Sequence, residues 1–69
     1  MMKYPKLKGK RAELGLTQNE MAFKLGISTS AYNLKECGQR EFKTDEIAKI
    51  LNIFNSKFED IFISELSHK

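Results

Sequence analysis

Apolar positions recur along this chain at helical spacing in five short bursts, each framed by residues that start or stop helices. Leu7, Arg11 and Leu14 fall at i, i+4 and i+7 and predict a first helix from Pro5 to Leu14. Pro5 suits its first turn, where a missing N–H costs nothing, and Gly15 suits its end. Gly9 weakens this helix by about 1 kcal/mol relative to alanine and would permit a close neighbour. Met21, Ala22 and Leu25 form the apolar face of a second helix, Gln18 to Leu25. Thr17 and Glu20 make a capping box at its start, and Leu16 and Met21 hold the staple positions around it. Gly26 can adopt the left-handed backbone that ends it.

Ser28 then caps a third helix from Thr29 to Cys37, with Ile27 and Tyr32 repeating the staple and Gly38 as the stop. Ala31, Tyr32 and the aliphatic stem of Lys35 would face inward, and Thr29, Ser30, Asn33 and Leu34 outward. A fourth helix is predicted from Asp45 to Ile53. Thr44 is its cap, Asp45 and Glu46 complement its dipole, and Ile47, Ile50, Leu51 and Phe54 face the core. A fifth runs from Lys57 to Leu66 behind a Ser56–Glu59 capping box, with Phe58, Ile61, Phe62 and Leu66 along one side. No alternating run is long enough for a strand. The expected architecture is all-α: one compact five-helix domain over residues 1–69, with its core at about 5–66.

Charge changes the picture more than composition does. The net charge is +3, but residues 1–43 carry nine basic side chains against four acidic, and residues 44–69 three against five. A basic front and a mildly acidic back suit a polyanion on one side only. One cysteine, Cys37, and one histidine, His68, leave no intramolecular disulfide and make a structural zinc site implausible. No Ser-His-Asp constellation, Gly-rich phosphate loop or metal-ligand spacing is present, so neither an enzyme nor a cofactor is expected. No apolar run approaches the roughly 20 residues of a membrane span, and no apolar region follows the basic Met1–Arg11 stretch. The expected compartment is the cytoplasm.

The second and third helices, joined by a tight Gly-containing turn, have the layout of a helix-turn-helix. Residues from about Leu7 to Phe62 resemble the Cro/C1-type (XRE) helix-turn-helix domains of phage repressors and related bacterial regulators. The resemblance is carried by Arg11, Leu14-Gly15-Leu16-Thr17-Gln18, Met21-Ala22, Leu25-Gly26-Ile27-Ser28, Tyr32, Glu36, Gly38, Arg40 and the Leu51–Phe62 tail. Gln39-Arg40-Glu41-Phe42 is most similar to small prophage-encoded members. The resemblance implies a five-helix, lambda-repressor-like fold. It also implies an ion pair between Arg11 and Glu36, which would fix the third helix against the first.

The same resemblance implies a double-stranded DNA operator as partner, read in the major groove by residues 29–37. Base edges would meet Thr29, Ser30, Asn33 and Leu34. Asn33 is suited to a bidentate contact with adenine, and Thr29 or Leu34 to a thymine methyl. Gln18 and Ser28 at helix N-termini, and Lys35, Gln39, Arg40 and Lys43 around the end of the third helix, would meet phosphates. Lys3, Lys6 and Lys8 would form an arm on the DNA backbone or in the minor groove. The missing Arg or Lys at the front of the third helix removes the commonest guanine contact and points to A·T-rich sequence or DNA shape. Cys37 departs from the family, which often has a polar or basic residue there. Phe54, Phe58, Phe62, Ile63 and Leu66 are candidates for a homodimer contact that would set two recognition helices about 34 Å apart. The alternatives are an antitoxin that regulates its own operon and a helix-turn-helix fold used as a protein-interaction module. Neither a membrane partner nor a small-molecule ligand is indicated.

Overall fold

Capping hydrogen bonds set the start of three of the described helices, and left-handed residues stand at the ends of most of them. The computed structural model describes residues 4–63. Among them run five helices and no strand: α1 (Pro5–Glu13), α2 (Gln18–Leu25), α3 (Thr29–Glu36), α4 (Thr44–Phe54) and α5 (Phe58–Phe62). Thr17 Oγ1 accepts from the Glu20 N–H at 3.0 Å, and Glu20 Oε1 accepts from the Thr17 N–H at 2.8 Å, closing the capping box of α2. Ser28 Oγ accepts from the Ala31 N–H at 3.1 Å and starts α3. Between them Gly26 sits at φ +75°, and the next N–H, of Ile27, bonds back to the Ala22 carbonyl at 3.0 Å. Only glycine takes that backbone without strain, so the tight turn between α2 and α3 depends on it.

The core collects one side of each helix. Leu7 from α1, Met21, Ala22 and Leu25 from α2, Tyr32 from α3, Ile50 and Phe54 from α4 and Ile61 from α5 are all buried, together with Phe42 from the loop before α4. Each full burial of a large apolar side chain contributes about 1.5–3 kcal/mol. Helix α2 packs most extensively on α3, α1 lies against α5, and α4 meets both α2 and α5. An aromatic cluster closes one end. Phe42 lies 5.8 Å from the rings of both Tyr4 and Phe62, and Phe62 stacks on Phe58 at 5.2 Å.

Several local expectations are corrected. Leu14 is exposed, because α1 ends at Glu13 and the chain turns at Gly15 before Leu14 can join the apolar face. Gly9 has nothing within 4 Å of where a Cβ would stand, so it marks no close approach. Lys6 and Lys8 lie inside α1 and not on an extended arm, and Lys3 lies outside the described residues. Helix α4 starts one residue early, with Lys43 as its cap: the Glu46 carboxylate accepts the Lys43 N–H at 2.9 Å, which leaves Thr44 inside the helix. It ends at Asn55, which adopts φ +52°. The Ser56–Glu59 box does not form. Ser56 Oγ donates to the Phe54 carbonyl at 3.0 Å instead, and Lys57 precedes α5 without a side-chain cap. Helix α5 stops at Phe62 because Ile63 is extended, at φ −97° and ψ 122°.

Candidate nucleic-acid interface

The buried face of α3 fixes how its other face is presented. Arg11 on α1 sends Nε to Glu36 Oε2 at 2.9 Å and Nη2 to Oε1 at 3.4 Å, while its Nη1 donates to the Leu16 carbonyl at 2.8 Å. Tyr32 Oη donates to Glu36 Oε2 and Gln18 Nε2 to Oε1, both at 2.8 Å. The Glu36 side chain is 1 % exposed, and four donors fill its two oxygens. Burial alone would disfavour the charged carboxylate. The hydrogen bonds from Arg11, Gln18 and Tyr32 outweigh it and hold the group below the ordinary glutamate range. The same bonding raises the Arg11 pKa above its ordinary value, and burial followed by the Glu36 bond pushes the Tyr32 phenol well up. The C-terminal turn of α3 is thereby tied to α1, to the α1–α2 loop and to the start of α2.

A second ion pair fixes the other flank. Lys35 Nζ reaches Glu46 Oε1 at 2.7 Å and Oε2 at 2.8 Å, with both side chains buried. Burial opposes the Glu46 charge, but the Lys35 ammonium, the Lys43 N–H and the Lys35 positive charge lower its pKa overall. This corrects the expected role of Lys35. Its ammonium is held by Glu46 inside the protein, where a phosphate cannot reach it, and it clamps α3 to α4. No buried side-chain N or O among the described residues lacks a hydrogen-bond partner.

With its inner face pinned at both sides, α3 turns Thr29, Ser30 and Asn33 to solvent, and Leu34 is half-buried beside them. Two side-chain bonds brace this outer face against α2. Thr29 Oγ1 donates to Asn19 Oδ1 at 2.6 Å, and Asn33 Nδ2 donates to Gln18 Oε1 at 3.2 Å. The Thr29 hydroxyl proton is thus committed to α2, while its methyl group and acceptor lone pairs are not. Ser28, Gln39, Arg40 and Lys43 are exposed around the helix, and Gln18 is half-buried at the first position of α2. Ser28 precedes α3, and Gln39, Arg40 and Lys43 lie between the end of α3 and the start of α4.

The chain matches the helix-turn-helix family over residues 7–61. It belongs to that family, in its Cro/C1-type branch of DNA-binding transcriptional regulators. An uncharacterised helix-turn-helix-type transcriptional regulator of Archaeoglobus fulgidus is 36 % identical over 53 residues, which span 77 % of this chain and 76 % of that protein. The crystal structure of the clp gene regulator ClgR from C. glutamicum superposes with a TM-score of 0.68, over 80 % of this chain and 71 % of that one. At 24 % identity that likeness shows the fold alone. No helix among the described residues of this helix-turn-helix protein is long and apolar enough to cross a membrane, and no group of three metal-ligating side chains occurs there.

The candidates for a dimer contact differ in exposure. Phe54 is 4 % exposed and belongs to the core, so it is withdrawn from that set. Phe62 is half-buried within the aromatic cluster, whereas Phe58 and Ile63 remain exposed. Leu66 lies outside the described residues. Three features escaped the sequence reading. The Lys35–Glu46 pair was hidden because the residues stand 11 apart on different helices. Phe42 was hidden by lying in a loop. The Gln18–Glu36 bond was hidden because glutamine gives no sequence signal of its partner.

Proposed function

We propose that the chain is a repressor of the phage or prophage type that binds a two-fold symmetric operator, with α3 in the major groove. The observation that carries this reading is the anchoring of α3. Its inner face is held by Arg11–Glu36 on one flank and Lys35–Glu46 on the other, and its free face bears short polar side chains of the kind that meet base edges. In this reading Thr29, Ser30, Asn33 and Leu34 contact bases. Gln18, Ser28, Gln39, Arg40 and Lys43 contact phosphates and set position. Absence of an Arg or Lys from the front of α3 favours A·T-rich sites.

Two copies would bind together, with the exposed Phe58 and Ile63 at their contact. Sedimentation of the protein with its operator duplex tests this: two chains per symmetric site are expected, and a stable one-to-one complex would refute it.

A second reading, a helix-turn-helix fold serving as a protein-interaction module, has one observation in its favour. Phe23 on α2 is 85 % exposed beside the half-buried Leu16 and Ile27. Selection from a random duplex pool at two salt concentrations separates the two. DNA recognition predicts an enriched symmetric site. Salt-sensitive binding without enrichment would reduce the activity to backbone attraction, and no binding at low salt would favour the protein partner.

A further inference from the structure

The side-chain bonds around Gln18 form a directed chain from the protein interior to its surface. Glu36 is charged and therefore accepts only, and both of its oxygens are occupied by donors. Gln18 must turn its NH2 group to Glu36, as the 2.8 Å Nε2–Oε1 bond shows, and its carbonyl oxygen then points the other way. Asn33 lies at that oxygen and can meet it only with its own NH2 group, at 3.2 Å. The Asn33 carbonyl oxygen is left on the other branch of its amide. Three groups on two helices thus share one polarity, and its origin is the Glu36 charge.

We propose that Gln18 is a positioning residue for specificity: it transmits the acceptor-only character of Glu36 to Asn33 and so fixes which way round the Asn33 amide faces DNA. This rests on the reading of α3 as the base-contacting helix. The consequence is a defined demand on the base pair. An outward carbonyl oxygen needs a donor in the major groove, which adenine N6 and cytosine N4 supply and guanine and thymine at that edge do not. The second Asn33 N–H then matches adenine N7, so adenine is preferred to cytosine. An amide free to flip would lose much of this discrimination. The second Gln18 N–H remains open to a phosphate, so positioning and backbone contact are compatible in one side chain.

The test uses the full chain and the symmetric site enriched from the random duplex pool. The base pair read by Asn33 is the one whose preference disappears in Asn33→Ala. Binding is then measured on four duplexes that differ only at that pair, for the wild type, Gln18→Met and Gln18→Ala. Methionine keeps the length of glutamine without its hydrogen bonds, and the alanine variant checks that the result does not depend on methionine's shape. The expected result is that both variants lose roughly tenfold in discrimination at that single pair. Preference at pairs unaffected by Asn33→Ala stays unchanged, and Gln18→Met adds nothing further in an Asn33→Ala background.

Equal weakening on all four duplexes would assign Gln18 to phosphate binding or stability alone and overturn the relay, leaving the DNA reading intact. Failure of the wild type to enrich any site would overturn the DNA reading, and the relay with it. A readout without DNA completes the test. The Asn33 side-chain amide should be ordered on the ps–ns timescale in the free wild-type protein and lose that order in Gln18→Met. Equal order in both would contradict the relay.

Discussion

Lys35 delivers its ammonium to both carboxylate oxygens of Glu46, at 2.7 and 2.8 Å, and so joins α3 to α4 inside the protein. Breaking such a pair from one side strands a buried charge at a cost of about 3–5 kcal/mol, whereas replacing both partners by apolar residues is often close to neutral. Glu46→Ala is therefore expected to unfold much of this small domain, with the lost Lys43 N–H bond adding to the damage. Lys35→Met with Glu46→Leu should recover most of the stability. Chemical denaturation of the single and double variants checks this, and a double variant as unstable as Glu46→Ala would refute it.

The same pair separates a structural cation from those proposed to meet phosphates. Lys35 has no free ammonium for a phosphate, and Arg40 and Lys43 do expose their side chains. Arg40→Ala or Lys43→Ala should each reduce the slope of log affinity against log salt by about 1, with similar losses on all sequences. The Lys35→Met, Glu46→Leu double variant should keep the wild-type slope. Affinity titrations from low to physiological salt read this directly.

Acid should weaken the fold through Glu36 and Glu46. Both carboxylates have folded pKa values below the ordinary one. As pH falls, the unfolded chain takes up these protons first, at about pH 4.3. Their stabilisation is complete at neutral pH, begins to fade near that value, and is gone once pH drops below the folded pKa. Stability measured against pH should thus fall more steeply below about pH 5 in the wild type than in Glu36→Gln. Equal slopes would show that Glu36 titrates alike in both states.

Gly9 offers a gain. It lies inside α1 with open space at its missing Cβ and no left-handed φ. Gly9→Ala should stabilise by about 0.5–1 kcal/mol, since alanine loses less backbone freedom on folding. For a domain of this size that raises Tm by several degrees, roughly 4–8 °C per kcal/mol. An unchanged or lower Tm would contradict this prediction.

Much of this molecule is written locally in its sequence. The Thr17–Glu20 box, the Ser28 cap and the left-handed Gly26 involve residues at most a few positions apart, so propensity and spacing suffice to place α2, the turn and α3. Long-range choices were less legible. Phe42 is buried from a loop by ring contacts with Tyr4, Tyr32 and Phe62, which no periodicity could indicate. Lys35 shows the same limit from the other direction. A lysine on a helix proposed to read DNA suggests a phosphate contact until Glu46 is seen to lie beside it. The fifth helix was overextended because an apolar, capped pattern continues past Phe62, whereas the backbone turns extended at Ile63.

The most direct test of the account is a titration of isotope-labelled protein with the enriched duplex, followed by NMR. The amide and side-chain signals of Gln18, Thr29, Ser30, Asn33, Gln39 and Arg40 should shift most, and those of Glu13 on α1 and Asp60 on α5 should stay in place. Shifts concentrated on α1 and α5, with Thr29 and Asn33 unmoved, would contradict α3 as the DNA-reading element.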